Sequence, residues 1–105
     1  RRDARVGVML VDLDNFKRIN DSLGHAAGDE VLRQTAACVR AELRRDDLCG
    51  RIGGEEFAIV LGQTAPAAAL ALAERLRGQV AALTFEAGSR TLLTTISVGV
   101  AMAAA

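Results

Sequence analysis

Apolar and polar positions change their period several times along this chain, and the changes mark its elements. Arg5 to Asp12 is mostly apolar, with Val8-Met9-Leu10-Val11 uninterrupted, too uniform for a half-exposed strand; it predicts a central strand covered on both faces. A polar turn region begins at Asp12, and a short helix containing Phe16 and Ile19 follows before Asp21. Gly24 to Gly28 forms a second break, placing Asp29 where an N-cap or first-turn acid is favoured. Val31, Leu32, Thr35, Ala36, Val39 and Leu43 then recur at helical spacing, predicting an amphipathic helix over 29–44. Two apolar-rich runs, Leu48 to Ile52 and Phe57 to Leu61, flank Gly53-Gly54, which predicts a hairpin whose two glycines both take positive φ. Its tip would expose Glu55 and Glu56, with no lysine in the next few residues. Gly62-Gln63-Thr64 ends the strand and Pro66 suits a first helical turn. Leu72, Leu76, Val80 and Leu83 form the stripe of that helix, with Glu74, Arg75 and Arg77 outward. Phe85 to Ala101 is β-rich: a turn at Ala87-Gly88-Ser89, then Thr91 to Val100, with a small extra strand near Phe85.

The order β-α-α-β-β-α-β is the split βαβ, ferredoxin-like arrangement, an α+β fold with helices on one face of an antiparallel sheet. In that topology the first strand is central and antiparallel to the strand after the hairpin. Asp12-Leu13-Asp14 therefore comes beside Glu55 and Glu56, although some forty residues separate them in sequence.

Composition narrows the function classes. A chain of 105 residues is one domain, large enough to bury a core without staples. Thirteen basic and thirteen acidic residues balance, so no net basic field exists to hold DNA or RNA. The apolar runs are too short for a membrane span, and no signal-peptide pattern opens the chain. Cys38 and Cys49 lack metal-ligand spacing and read as small buried residues in a reducing compartment. His25, the single histidine, sits in a turn with no nucleophile nearby, which favours a structural role. Neither end shows a helix beyond its terminal strand: Arg1-Arg2-Asp3 precedes the first, and Ala101-Met102-Ala103-Ala104-Ala105 follows the last. The chain thus reads as an excerpt of a longer protein.

Asp12, Asp14, Glu55 and Glu56 carry the candidate chemistry. Residues i and i+2 of a strand share a face, so Asp12 and Asp14 would point together, and only one of the two glutamates could join them. Converging carboxylates repel unless a cation separates them, and hard oxygen donors suit Mg²⁺ carrying substrate phosphates. A second reading stays open on residues alone: Asp14 caps the short helix and the glutamates are a solvated turn.

The motifs resemble those of the GGDEF family, the diguanylate cyclases of bacterial signalling, whose palm-type fold is related to class III nucleotidyl cyclases. The signature stands as Gly53-Gly54-Glu55-Glu56-Phe57, a GGEEF variant. Asp12-Leu13-Asp14-Asn15-Phe16-Lys17-Arg18-Ile19-Asn20-Asp21 is similar to the family's strand-one motif, and Gly24-His25-Ala26-Ala27-Gly28-Asp29 to its second. Ala73-Glu74-Arg75-Leu76-Arg77 and Ser97-Val98-Gly99-Val100-Ala101 fit its later helix and strand.

The resemblance implies that Asp12, the Leu13 carbonyl and Glu55 hold two Mg²⁺ per site, with Mn²⁺ as a substitute. It implies that Glu56 contacts the second metal or deprotonates the attacking hydroxyl. Asn20 and Asp29 would read the guanine edge, Gly53 and Gly54 would let the nucleotide approach, and Phe16 and Lys17 would line the phosphate side. Arg44 and Asp47 stand at the spacing of the family's inhibitory RxxD motif, with Arg75 in support, where cyclic di-GMP would bind and suppress turnover. The implied reaction condenses two GTP into cyclic di-GMP and two pyrophosphates in a homodimer, usually with a fused sensory or dimerisation domain, in the cytoplasm or on the cytoplasmic side of a membrane-anchored sensor.

The chain departs from the family at both ends. The N-terminal Asp-x-Leu-Thr segment with its Asn-Arg pair and the last helix, whose lysine and arginine grip the triphosphate, are missing. This stretch alone is therefore expected to bind GTP weakly and turn over poorly, while the full-length parent is competent. The rival readings are a non-catalytic cyclic di-GMP receptor acting through Arg44 and Asp47, and a nucleotidyl cyclase making another purine product.

Overall fold

The computed structural model describes residues 5–104. Six strands and three helices follow in the order β1 (Arg5–Leu13), α1 (Phe16–Leu23), α2 (His25–Ala41), β2 (Leu48–Arg51), β3 (Glu56–Leu61), α3 (Pro66–Ala81), β4 (Phe85–Ala87), β5 (Arg90–Leu92) and β6 (Ile96–Ala104). A four-stranded sheet has the order β2-β3-β1-β6 with every neighbouring pair antiparallel, and β4 and β5 form a separate hairpin. The expected α+β antiparallel architecture, with β1 central, is what forms.

Period-two alternation decides which face of the sheet is the core. Met9, Val11 and Leu13 of β1 and Phe57, Ile59 and Leu61 of β3 point inward and are buried. Val31 and Val39 of α2, Leu76 and Val80 of α3, and Phe85 of β4 belong to the same cluster. The other face is open among the described residues: Leu10 is 55% exposed and Val60 37%. The expectation that β1 is covered on both faces therefore fails. The strand is central within the sheet, and its outward apolar residues stand beside cross-strand neighbours such as Ala58 and Gly99 opposite Leu10.

Several boundaries differ from the sequence reading. The α2 helix begins at His25, so Gly24 (φ 91°) alone makes the break, and Asp29 lies one turn inside the helix rather than at its cap. Gly28 is tolerated there for a packing reason: a Cβ would lie 1.8 Å from Asn20 Oδ1. The β-rich run from Thr91 divides at Leu93-Thr94-Thr95 into β5 and β6, which belong to different sheets. The last strand continues to Ala104 rather than ending near Ala101. The Arg1-Arg2-Asp3 opening and Ala105 lie outside the described residues. Pro66 opens α3, and Leu72, Leu76 and Val80 are its buried stripe, as the spacing predicts. The helix ends at Ala81, however, and Leu83, expected in the stripe, lies beyond it and is half-buried. Cys38 and Cys49 are unpaired and half-buried rather than buried, and desolvation pushes both thiols up. No described helix is long and apolar enough to cross a membrane.

Candidate active site

The site gathers at the end of the sheet where β1 finishes and β3 begins. Register places Glu56 opposite Asp12 and Asp12 opposite Ser97. Because Val11, Leu13 and Phe57 point into the core, these three residues form a row on the open face, and all three are exposed. Glu55 lies in the loop just before β3, half-buried rather than exposed as expected, and its backbone oxygen accepts a hydrogen bond from Leu13 N at 3.2 Å. The two acid-bearing segments that the topology was expected to bring together do meet.

The signature loop is not the two-glycine turn of the sequence reading. Neither Gly53 nor Gly54 has a left-handed φ. The loop is wider and closes through Ile52 N donating to Glu56 O at 2.9 Å. Arg51 spans it, with Nε donating to Gly53 O at 3.0 Å and Nη2 to Gly54 O at 2.8 Å. At Gly53 a Cβ would lie 2.7 Å from Glu56 Oε1 and would displace that carboxylate, whereas Gly54 faces open space.

Asp14 departs from both roles considered for it. It does not cap α1, because its carboxylate accepts from Thr95 Oγ1 at 2.6 Å and Ser97 Oγ at 2.7 Å. With both oxygens engaged, it does not converge with Asp12 and the glutamates. Among the described residues no group of three or more metal-ligating side chains forms. The register instead sets two carboxylates, Asp12 and Glu56, opposite each other, a donor set that Mg²⁺ with waters and substrate phosphates could use. The donor set also fits in charge: among the described residues no hydrogen bond or ion pair reaches the side chains of Asp12, Glu55 or Glu56.

Beside these acids, α1 presents an open N-terminus. Asn15 precedes it in the left-handed region (φ 59°, ψ 24°), no side chain caps it, and its first turn holds no acid. Such an end offers backbone N–H groups and a partial positive charge to an anion. Phe16 is a core residue, and Lys17 pairs with Asp21 at 3.0 Å on the exposed helix surface. Neither side chain is directed to this end; what remains for their positions is the backbone of the first turn. Asn20 is half-buried, and its Oδ1 is fully buried without a partner, packed against Gly28. Next to it in the chain, Asp29 is exposed and lines a groove of about 450 Å³ with Arg33, Arg40, Arg51 and Phe57.

Arg44, Asp47 and Arg75 come together elsewhere, around a cavity of about 160 Å³. Asp47 Oδ2 accepts from the Arg44 amide at 2.8 Å and Nε at 3.2 Å, and Oδ1 accepts from Nη2 at 2.9 Å. Burial pushes the Asp47 carboxyl up, but the Arg44 guanidinium and amide outweigh it, leaving the group below its ordinary range. Arg75 Nε donates to Glu42 Oε1 at 2.7 Å, and Gln79 Nε2 to Glu42 Oε2 at 3.1 Å. These bonds, Arg75's first, lower the Glu42 carboxyl.

A family model described as "Diguanylate cyclase, GGDEF domain" matches residues 1–105. The chain belongs to the GGDEF domain family. It is 41% identical over 95 residues to "Diguanylate cyclase A" of Treponema denticola, which covers 90% of this chain and 26% of that protein. Among solved structures, it is similar to the "active GGEEF domain of a diguanylate cyclase from Vibrio cholerae", with a TM-score of 0.88 and 37% identity over 95% of this chain and 63% of that one. It is also similar to the GGDEF domain of DgcB from Caulobacter crescentus "in complex with c-di-GMP", with a TM-score of 0.91 and 27% identity over 95% of this chain and 60% of that one. The chain thus spans about a quarter of the length of the curated relative.

Within this GGDEF domain, sequence reasoning overlooked Arg51, Thr95 and Ser97. Arg51 had a legible signal, a cation two residues before the glycines whose carbonyls it holds. Thr95 had none, and Ser97 was visible only as a member of the last-strand motif, because what matters is their register against a residue more than eighty positions away.

Proposed function

We propose that this domain is the catalytic half-site of a diguanylate cyclase, joining two GTP into cyclic di-GMP with release of two pyrophosphates. One observation carries the reading: cation-free Asp12 and Glu56, paired in register, stand at the same sheet end as the uncapped first turn of α1. Carboxylates without a counter-ion and a helix end without a counter-anion are complementary halves of a metal–phosphate site. The family membership and the diguanylate cyclase names of relatives support the same reading.

Asp12, the Leu13 carbonyl and Glu55 are the proposed metal donors, with Glu56 beside Asp12 as a second-metal donor or as the base. Bound there, the Mg²⁺ ions neutralise phosphate charge and polarise the attacked phosphorus. The α1 first-turn amides receive phosphate oxygens of the same nucleotide. Asn20 and Asp29 read its guanine: Asn20 Oδ1 has no partner within the fold, and exposed Asp29 accepts from base N–H groups. The 3′-hydroxyl of one GTP attacks the α-phosphorus of the other, the bond to the β-phosphate breaks, and Glu56 is the candidate to accept the hydroxyl proton. Each domain supplies one nucleotide, so two copies must face each other. We take residues 1–105 as one domain acting within a longer, cytoplasmic protein that brings about this pairing.

The Arg44–Asp47–Arg75 cavity is the proposed product site. Its arginines suit phosphates, and the c-di-GMP complex of a relative supports that chemistry. Chromatographic assay of cyclic di-GMP made from GTP by the full-length protein tests the proposal, with product expected. A full-length protein that binds cyclic di-GMP but makes none would instead be a receptor.

A further inference from the structure

Asp14 is bonded through every polar group it has, and every partner lies in one short segment. Its amide donates to Thr95 O at 2.9 Å, its carbonyl accepts from Thr94 Oγ1 at 3.4 Å, and its carboxylate accepts from Thr95 Oγ1 at 2.6 Å and Ser97 Oγ at 2.7 Å. Thr94 is buried, and Thr95 and Ser97 flank Ile96 at the start of β6. A solvated aspartate after a strand needs none of this; the segment Thr94 to Ser97 is built as its receptor.

The consequence follows from peptide geometry. In a planar trans peptide the C=O and N–H point in opposite directions. Fixing Asp14 N–H on Thr95 O therefore aims the Leu13 carbonyl away from β6, toward the side where Leu13 N already meets Glu55 O. The next residue, Asn15, is held in the left-handed region that only a few residue types adopt, and α1 begins at Phe16. One clasp thus sets both the direction of the Leu13 carbonyl and the aim of the α1 first turn.

We infer that Asp14, gripped by Thr95 and Ser97, is a positioning residue of the GGDEF active-site loop, orienting the Leu13 carbonyl and the α1 N-terminus rather than ligating metal. The inference rests on the reading of Asp12, Leu13 and Glu55 as metal donors. It gives Asp14 and Ser97 a role that their motif positions do not state, and adds Thr95, which lies outside those motifs.

The test uses the full-length protein and Mn²⁺ as the probe, with affinity read by paramagnetic titration. Thr95→Val with Ser97→Ala removes both hydroxyls and retains the backbone bond. The double variant is expected to bind Mn²⁺ about 10- to 100-fold more weakly, the usual loss for a partner that orients a ligand. Amide exchange at Asp14 is expected to accelerate, cyclic di-GMP binding at the distant Arg44 cavity to persist, and Ser97→Thr to restore Mn²⁺ binding. Wild-type Mn²⁺ affinity in the double variant overturns the inference, as does a loss of Mn²⁺ binding that occurs only together with loss of cyclic di-GMP binding. Should the double variant not fold, Ser97→Ala alone carries the same readouts. Asp12→Ala separates the two levels: if it leaves Mn²⁺ affinity unchanged, the metal reading itself is wrong; if it abolishes binding while the double variant does not weaken it, only the clasp is wrong.

Discussion

Two charged clusters flank β3, one where the strand starts at Glu56 and one just past its end at Gly62, and they are in opposite states. At the start, the side chains of Asp12, Glu55 and Glu56 have no cation among the described residues, and the nearby Arg51 is committed to the carbonyls of Gly53 and Gly54. At the end, Arg44 is paired with Asp47 and bonded to Gly62 O, and Arg75 is held by Glu42. The first cluster keeps its charge for something from outside. The second has neutralised itself, so a ligand there must compete with bonds already made. That contrast is what the proposed metal–phosphate site and the proposed product site would each require.

The largest effect should come from Asp12. In the full-length protein, Asp12→Asn is expected to lower cyclic di-GMP synthesis by more than about 100-fold, beyond the usual cost of losing a partner that merely orients a ligand. Its melting temperature should stay level or rise, because like charges directly opposite each other on a sheet are unfavourable. A fall in both would make Asp12 a structural residue and erase the contrast.

Gly53→Ala is the next test. The added Cβ falls on Glu56 Oε1, the far end of a flexible side chain, so the fold should survive while the carboxylate moves. A shift of about 1 Å in a reacting group can cost about 100-fold in rate. Steady-state kinetics should show that loss in kcat, with little change for Gly54→Ala in the absence of nucleotide contacts. A large effect at Gly54 would instead measure how closely the nucleotide approaches the loop.

At the self-neutralised cluster, Arg44→Ala should abolish calorimetrically detected cyclic di-GMP binding, because it removes the guanidinium that faces the cavity. Glu42→Gln should do the reverse, tightening product binding by a few-fold as Arg75 is released, since exposed ion pairs are weak competitors. The same competition has a pH signature. The ionised Glu42 carboxylate holds Arg75, and its pKa lies below the ordinary 4.5, so the clasp persists through pH 5 and is lost only as pH falls through that lowered value. Product affinity measured from pH 8 to pH 5 should therefore show no step from Glu42.

Much of this was legible in the sequence because it depends on periodicity and order. Alternation in β1 and β3, the helical stripes of α2 and α3, and the β-α-α-β-β-α-β order suffice to bring Asp12 beside the Glu55-Glu56 pair. The role of Gly53 was misread for a physical reason: a Gly-Gly pair signals positive φ, but here the missing Cβ makes room for Glu56. The early start of α2 was hidden because Gly28 looks like a breaker until Asn20 is seen packed against it. The partners of Asp14 depend on tertiary register alone, and its local sequence, just before a helix, suggested a cap instead. The uniform apolarity of β1 promised a covered outer face, but central position in the sheet accounts for only its hydrogen-bonded edges.

Glu55 tests the central claim most directly. In one preparation of full-length Glu55→Ala, cyclic di-GMP synthesis and cyclic di-GMP binding are measured side by side. The account predicts that synthesis collapses while binding through Arg44 is unchanged; synthesis at the wild-type rate would contradict the assignment of this sheet end as the metal site.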